Sequence, residues 1–274
     1  MRALILVALM FAAPAAARPL DEVKKAGVLR VAVYQDYKPY SWRESDKPVG
    51  VDIDIARGLA KSLGVRLDLL ELRAGDDIEE DLRNGVWRGS VLGAAPSDVM
   101  LHVPYDKRIE KLNDRVALFS PYHIDGMAMV VDPAKQAAAA DLTLLSSDKA
   151  AVAVGTIGDM ILISVKDHSL TPHVVHERTL EQAAQDFERG DVAAFYGEAS
   201  AAQAFARAGK RPFALAYPHT GLGEDWPIGV AVKRDSADLG QAVAAQLEGW
   251  AASGRLQQIF AQYGVDWRKP EAAR

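Results

Sequence analysis

The chain has 274 residues, and its 37 acidic residues outnumber its 32 lysines and arginines, so the formal net charge is −5. Apolar residues make up 49% of the chain and charged residues 25%, a balance that suits a folded protein and excludes a disordered one. The absence of cysteine excludes disulfides, thiolate metal sites and a cysteine nucleophile. The mildly acidic charge argues against a protein that coats nucleic acid. The length allows one large domain or two ordinary ones.

The first 17 residues have the three parts of a secretory signal peptide. Met1 and Arg2 give a short positive start, residues 3–13 are apolar, and Ala15 and Ala17 are small residues suited to a cleavage site. The apolar run is shorter than the roughly 20 residues that a membrane-spanning helix needs. We therefore expect residues 1–17 to be removed and the mature protein to be exported, to a bacterial periplasm, without stable membrane insertion.

The first half of the mature chain alternates strand and helix patterns. Strands are predicted over residues 28–33, 65–69 and 98–103. Residues 50–55 lead into a predicted helix with Ile55, Leu59 and Leu63 on one face, and a second helix is predicted over 77–84. Gly64 and Gly85 are the predicted helix stops. Because crossovers between parallel strands are right-handed and carry a helix, this order predicts a parallel sheet.

The same order begins again near residue 151 and predicts a second sheet. The predicted strands are 151–154, 173–176, 192–196, 213–217 and 226–232. One helix is predicted to start near residue 159, and four others are predicted over 179–189, 199–208, 237–252 and 256–263. The chain is thus an α/β protein with two sheets.

Several short motifs carry a resemblance to a known family. They are the strand 27–33 with the aromatic loop 37–40, the Gly-Val-Asp-Ile-Asp-Ile-Ala segment 50–56, the Phe-Ser-Pro-Tyr segment 119–122, the Gly-Thr turn 155–156 and the closing strand 228–232. In type and order they resemble the bacterial extracellular solute-binding proteins of family 3, which serve periplasmic ABC transporters for polar amino acids.

That resemblance implies a two-lobed type II periplasmic binding protein fold, in which each lobe is a mostly parallel sheet flanked by helices. Residues 18–123 and 219–274 would form the first lobe, and residues 124–218 the second. Two crossing segments, near 125–129 and 218–228, would act as a hinge, and the lobes would close on a ligand between them.

The resemblance places candidate ligand-binding residues in the first lobe. Tyr37 would lie across the ligand, with Trp42 as a neighbouring ring, although both rings are equally suited to packing under the loop. Arg108 resembles the arginine that grips the ligand carboxylate, and the alternative is an exposed surface arginine. His102 and Tyr105 are included because they stand in the stretch where the family has small ligand-binding hydroxyl residues.

The second lobe supplies the other candidates. Thr156 and the backbone of Ile157 lie at a strand-to-helix turn, where amide groups and the helix dipole favour an anion, or where the same residues form a plain cap. Glu198 stands where the family has an acid that accepts from the ligand ammonium, and the alternative is an ordinary helix-start acid.

Neither a metal site nor a catalytic site is indicated. His173 and His176 lie on a predicted strand, where residues three apart point to opposite faces, and the acidic run 76–81 lacks the glycine and spacing of a calcium loop. No nucleophile elbow, Walker loop or zinc-protease motif is present. We therefore predict no cofactor and a binding protein rather than an enzyme. A cleft dehydratase that uses Glu198 as its acid or base is kept as a third alternative.

The function predicted first is capture of a small polar molecule, amino acid-like or carboxylate, by a monomeric periplasmic protein that delivers it to the permease of an ABC importer. A second reading comes from residues 98–104, Asp-Val-Met-Leu-His-Val-Pro, which resemble a stretch of the solute-binding-like accessory proteins of methanol dehydrogenase systems. In that case the partner would be a periplasmic quinoprotein dehydrogenase. No nucleic-acid partner is expected.

Overall fold

The chain forms two five-stranded sheets flanked by helices in a computed structural model that describes residues 18–90, 93–222 and 225–270. The expected signal peptide, residues 1–17, lies outside these ranges. Four strands of each sheet run in one direction and the fifth runs against them. The predicted α/β architecture with two mostly parallel sheets is therefore confirmed. Over the described residues, no helix has the length and apolar character needed to cross a membrane.

The elements follow one another in the alternating order expected from the sequence. Up to the first crossing between sheets they are α1 (Leu20–Ala26), β1 (Val28–Tyr34), β2 (Trp42–Glu44), β3 (Lys47–Val49), α2 (Val51–Leu63), β4 (Arg66–Leu72), α3 (Ile78–Leu82), β5 (Val99–Pro104), α4 (Lys107–Leu112) and β6 (Val116–Asp125). The second group is β7 (Met127–Val131), α5 (Gln136–Ala140), β8 (Ala150–Ala153), α6 (Ile157–Ser164), β9 (Val174–Glu177), α7 (Leu180–Arg189), β10 (Ala194–Glu198), α8 (Ala199–Ala208) and β11 (Ala214–Ala216). The chain ends with β12 (Trp226–Lys233), α9 (Ala237–Ser253) and α10 (Arg255–Gln262).

The first sheet has the strand order β4-β1-β5-β12-β6. Strand β1 pairs in parallel with β4 and β5, while β12 runs antiparallel between β5 and β6. The pairing of β12 with β6 shifts register between Ile228 and Val230, as at a β-bulge. The second sheet has the order β11-β7-β10-β8-β9, with β7 as the reversed strand. Each sheet has its own buried core, and Trp226 packs against both.

Two local predictions differ from the structure. Gly85 does not end a helix, because a π-helical turn (Arg83–Trp87) continues α3 through it, and a Cβ at Gly85 would lie 2.8 Å from Leu72 Cδ1. The glycine is there for close packing rather than as a stop. Strand β10 lies two residues later than predicted, since Ala194 to Glu198 pair with β7. Glu198 is consequently the last residue of that strand. By contrast, Gly64 ends α2 as predicted, with a left-handed φ of 72°.

The chain crosses between the sheets at two neighbouring places. Gly126 is the residue that separates β6 from β7, and the return runs between Ala216 and Trp226. Trp226 pairs with Asp125 across the first sheet. We propose that two lobes divide at these crossings, within a few residues of the boundaries at 123 and 218 expected from the sequence.

Candidate functional site

A cavity of about 510 Å³ lies where the loop after β1 meets the second sheet. Five of the eight predicted site residues line it, namely Tyr37, Trp42, Thr156, Ile157 and Glu198. The other predicted residues, His102, Tyr105 and Arg108, do not appear in the lining. The two sheets thus bring most of the predicted residues to one place, and their binding roles stay predictions.

Tyr37 and Glu198 join the two sides of the cavity. The Tyr37 hydroxyl donates to Glu198 Oε2 at 2.7 Å. The Tyr37 ring is stacked on Tyr40 at 5.4 Å between centroids and meets the His102 ring edge-on at 4.9 Å. The ring is therefore held by packing on one side while it lines the cavity on the other, so the two interpretations of Tyr37 are compatible.

The Glu198 carboxyl is an unusual acid because of its surroundings. Burial raises the pKa of Glu198, and the negative charge of Asp125 adds to that rise. The hydrogen bond from Tyr37 opposes the rise in pKa. The Glu198 carboxyl therefore keeps its proton to a higher pH than an exposed glutamate does.

The Thr156 turn begins helix α6 at the cavity wall. The Thr156 hydroxyl donates to the Ala153 carbonyl at 2.7 Å and accepts from the Asp159 N–H at 3.3 Å, as in an ordinary cap. Asp159 Oδ2 also accepts from the Gly155 N–H at 2.8 Å. The hydroxyl and the first-turn carboxylate are therefore already engaged, which leaves the cavity-lining residues Ile157 and Gly158 as the contact that α6 offers.

His102 lies beneath the cavity rather than in it. Its side chain is buried, its φ of 61° is left-handed, and its backbone N–H donates to the Tyr122 hydroxyl at 3.0 Å. That hydroxyl donates to Asp52 Oδ1 at 2.7 Å, and His102 Nδ1 lies 3.3 Å from Asp52 Oδ2. Asp52, the acid of the Gly-Val-Asp motif, therefore holds β5 and β6 together behind the cavity.

Tyr105 and Arg108 lie on other surfaces of the first sheet. Tyr105 lines a separate cavity of about 430 Å³ together with Tyr122 and Trp267. The Arg108 side chain is 87% exposed and pairs at 2.7 Å with Asp106, the residue that caps α4. This pair lowers the pKa of Asp106. Because its own helix supplies its partner, Arg108 is directed to solvent and is not among the residues of the cavity.

The sequence missed several residues that complete the lining. Arg178 follows β9 directly, Tyr196 lies in β10, and Leu180 and Phe205 add apolar walls. The position of Arg178 carried a signal, since ligands of α/β proteins collect at the carboxyl ends of parallel strands. Metal ligands are not clustered in the described ranges, where no group of three or more His, Asp or Glu side chains is placed to hold an ion. Nε2 of His176, one of the histidines considered as metal ligands from the sequence, lies 3.0 Å from Asp159 Oδ1.

Comparison with known proteins identifies the fold. An ancestral cationic amino acid solute-binding protein is similar over 89% of this chain and 99% of its own, with a TM-score of 0.71 and 22% identity. An amino acid ABC transporter substrate-binding protein from Streptococcus pneumoniae, bound to L-arginine, covers 91% of this chain and 99% of its own, with a TM-score of 0.61 and 21% identity. The chain therefore has the type II periplasmic binding protein fold that its motifs imply.

The sequence comparisons are more local. The family model for bacterial extracellular solute-binding proteins, family 3, matches residues 29–88, which confirms the predicted resemblance over the segment that contains Tyr37 and the Gly-Val-Asp motif. A cyclohexadienyl dehydratase from Pseudomonas aeruginosa is 51% identical over 49 residues. That match spans 18% of this chain and 18% of the dehydratase. The similarity of residues 98–104 to methanol dehydrogenase accessory proteins stays a prediction.

Proposed function

We propose that this protein is an exported, monomeric solute-binding protein that captures a small amino acid-like molecule or carboxylate and delivers it to an ABC importer in the periplasm. The observation that carries the proposal is the cavity of about 510 Å³, whose lining comes from elements of both sheets. Its volume is typical of a small-molecule site, for which roughly 300–1,000 Å³ is usual. Polar groups and apolar walls converge in it, as recognition of one small molecule requires.

Contacts across the cavity support a closing motion. Besides the bond from Tyr37 to Glu198, Lys38 Nζ lies 3.6 Å from Glu181 Oε2 of helix α7. A ligand would have to enter an opened form in which these contacts are broken. Binding would then favour the closed form through the additional contacts that only this form provides.

The proposal predicts that a ligand stabilises the protein. In a thermal-shift screen of amino acids and small carboxylates, a true ligand at about a hundredfold excess over its Kd should add about 2.7 kcal/mol to the free energy of unfolding. Failure of every compound in the screen to shift the melting temperature would contradict the proposal.

Two exposed apolar residues of α6 provide a matched pair of variants for that screen. Ile157 is 52% exposed and lines the cavity, whereas Met160, three residues further along, is 62% exposed and does not. Ile157→Glu should therefore lose the ligand-induced shift and Met160→Glu should keep it. Equal shifts in the two variants would place the ligand elsewhere.

A second candidate function, a dehydratase, is favoured by Glu198. Its raised pKa, its hydrogen bond from Tyr37 and the partial match to a cyclohexadienyl dehydratase suit a general acid. In such a reaction the Glu198 carboxyl would protonate a leaving hydroxyl, the C–O bond would break to release water, and the carboxylate would recover a proton from the neighbouring carbon. Glu198→Gln should then abolish turnover of a hydroxycarboxylate and retain its binding. Binding without any turnover by the unmodified protein would favour transport.

Assistance to a periplasmic PQQ-dependent methanol dehydrogenase remains the alternative with less support. The residues that suggested it, 98–104, include strand β5, and the side chains from Val99 to Val103 are buried. Buried strand residues govern packing and do not form a partner surface. The small cavity likewise suits a solute better than a protein partner.

A further inference from the structure

A short segment after α10 is bound to both sides of the crossings between the sheets. It comprises residues 264–268, and we call it the strap. Val265 anchors the strap in the core of the first sheet, where it is 1% exposed. None of these five described residues is part of the lining of the cavity of about 510 Å³. Any effect of the strap on the cavity must therefore be indirect.

The second half of the strap is bound to β6 of the first sheet. Trp267 Nε1 donates to the Tyr122 carbonyl at 2.7 Å. The backbone N–H of Arg268 donates to His123 Nδ1 at 3.2 Å, and the Arg268 carbonyl accepts from the Ile124 N–H at 3.1 Å. Three consecutive residues of β6 thus hold this half of the strap.

The first half of the strap is bound to α8, which belongs to the proposed second lobe. Arg207 Nη1 donates to the Gly264 carbonyl at 2.8 Å, and Arg207 Nη2 donates to Asp266 Oδ2 at 2.8 Å. The Asp266 N–H donates to Oε1 of the buried Gln203 at 2.8 Å. The strap therefore bridges α8 and β6.

Helix α8 presents different faces to the strap and to the cavity. Ala201 and Phe205 line the cavity, whereas Gln203 and Arg207 bind the strap. Each residue of an α-helix turns it by about 100°, so residues two apart in sequence lie on nearly opposite sides. The strap is consequently bound to the far side of a helix that forms a wall of the cavity.

The strap also contacts both crossings. Arg268 Nη1 donates to Asp225 Oδ1 at 2.8 Å, and Asp225 directly precedes β12. This ion pair packs on Gly126, the residue between β6 and β7, because a Cβ at Gly126 would lie 2.5 Å from Asp225 Oδ1 and 3.6 Å from Arg268 Nη1. The strap is thus placed where a change in the angle between the sheets would be felt.

The attachment of α8 to the first sheet indicates what the strap does. In the first turn of α8, the Ser200 N–H donates to Asp125 Oδ1 at 3.1 Å. Arg207 is seven residues further on, about 10 Å along the helix. A rotation of α8 about Ser200 that separates the cavity walls would displace Arg207 relative to β6. Because the strap joins Arg207 to β6, this rotation would stretch the hydrogen bonds of the strap.

We propose that the strap restrains opening of the cavity, so that its contacts with α8 and β6 help to set the ratio of open to closed forms. This inference rests on the proposed function, since it names a control on the same binding site. The restraint itself acts in the protein without ligand and is measurable there. Arg207 and Trp267 are then positioning residues for the cavity.

The test measures the opening directly by pulsed dipolar EPR on the full chain without ligand. The chain has no cysteine, so two introduced cysteines are its only thiols for spin labels. Lys47→Cys in β3 and Met160→Cys in α6 label exposed positions on the two sides, outside the cavity lining. Arg207→Gln removes both of its bonds to the strap and should raise the ratio of long to short distances about two- to fivefold, as expected for the loss of one exposed ion pair.

A change at the other end of the strap should have the same effect. Trp267→Phe removes the bond to β6 and should also increase the longer distances. If Trp267→Phe does not fold, Asp266→Asn replaces it as the second variant, because the Asp266 side chain is 63% exposed. The matched control is Arg189→Gln, which loses ion pairs with Asp186 and Asp191 beside α7 and should leave the distances unchanged.

Distances that stay the same or become shorter in either strap variant would overturn the inference, whatever the ligand screen gives. An equal shift in Arg189→Gln would overturn it too, because the lost charge rather than the strap would then be responsible. If the strap variants open the cavity but no amino acid or carboxylate binds in the screen, the proposed function fails and the restraint stands.

Discussion

Single side chains decide how the cavity behaves with pH, and Glu198 is the clearest case. Its folded pKa lies above the value near 4.5 expected in the unfolded chain. The folded state therefore favours the proton. This contribution to stability is complete below about pH 4.5 and is lost as pH rises through the raised pKa.

Glu198→Gln should remove the loss of stability that ionisation of Glu198 causes as pH rises. Glutamine has no charge to bury and still accepts from Tyr37, so the stability of the variant relative to the unmodified protein should increase as pH rises above about 4.5. Urea unfolding at several values from about pH 4 to about pH 8 measures this difference. A difference that does not change with pH would show that folding does not raise the pKa of Glu198.

The sequence predicted some of these residues for identifiable reasons. Tyr37 and Glu198 were predicted from the family resemblance, which implies a ligand-covering aromatic ring in the loop after the first strand and an acid just after the predicted strand 192–196. Arg108 was misleading, since spacing along the chain does not report that Asp106 of the same helix takes up its guanidinium. Arg178 and Tyr196 were missed because cavity lining depends on how the two sheets meet.

Among the helices, close packing depends on glycine. Gly58 lies buried in the middle of α2, where a Cβ would lie 2.5 Å from Cη2 of Trp250 in α9. Gly249 also lies inside a helix, α9, but no atom lies within 4 Å of the position that its Cβ would take. A comparison of alanine substitutions at the two positions therefore distinguishes the effect of helix propensity from the effect of close packing.

The same substitution should have opposite effects at these two positions. Gly249→Ala should stabilise the protein by about 0.5–1 kcal/mol, because alanine is the better helix former. Gly58→Ala gains the same propensity but forces the buried Trp250 ring to move, and we expect a net loss of about 1–3 kcal/mol. Chemical unfolding of the two variants gives both values. A stabilised Gly58→Ala would mean that α2 and α9 are not in contact.

Elements with a clean pattern were predicted well, and irregular ones were not. Helix α7 and strand β1 have the expected periodicity and appear within a residue or two of their predicted bounds. Strand β6 was not predicted, because Ser120 has a left-handed φ of 36°, Pro121 lacks an N–H donor and the pairing with β12 shifts register. Such features break the alternation on which strand prediction depends.

For the molecule as a whole, a buried polar cluster lies at the first crossing between the sheets. The Tyr40 hydroxyl donates to Asp125 Oδ2 at 2.6 Å and contacts Ser200 Oγ of α8 at 2.8 Å. His123 Nε2 lies 3.1 Å from the same Ser200 oxygen, and His123 Nδ1 accepts from the backbone N–H of Arg268 at 3.2 Å. Residues of β6, α8 and the C-terminal segment are thus tied at one point.

His123 should make this cluster sensitive to acid. Burial lowers the pKa of His123 from 6.5 to about 4. The unfolded chain therefore binds a proton that the fold rejects, and as pH falls from about 6.5 to about 4 this group should cost about 3 kcal/mol of stability. His123→Asn should remain less stable at neutral pH but lose less stability on acidification. If urea unfolding shows that the free energies of unfolding of the two proteins fall equally with decreasing pH, His123 is not the source of the acid sensitivity.

The position of β12 between β5 and β6 has a consequence for the order of folding. Every strand of the second sheet comes from one continuous stretch, from Met127 to Ala216, so that sheet needs no later part of the chain. The first sheet begins at Val28, yet it lacks an internal strand until Lys233 is present. We therefore expect the second sheet to complete its tertiary structure first. The first sheet would be completed only when β12, from near the C-terminus, pairs with β5 and β6.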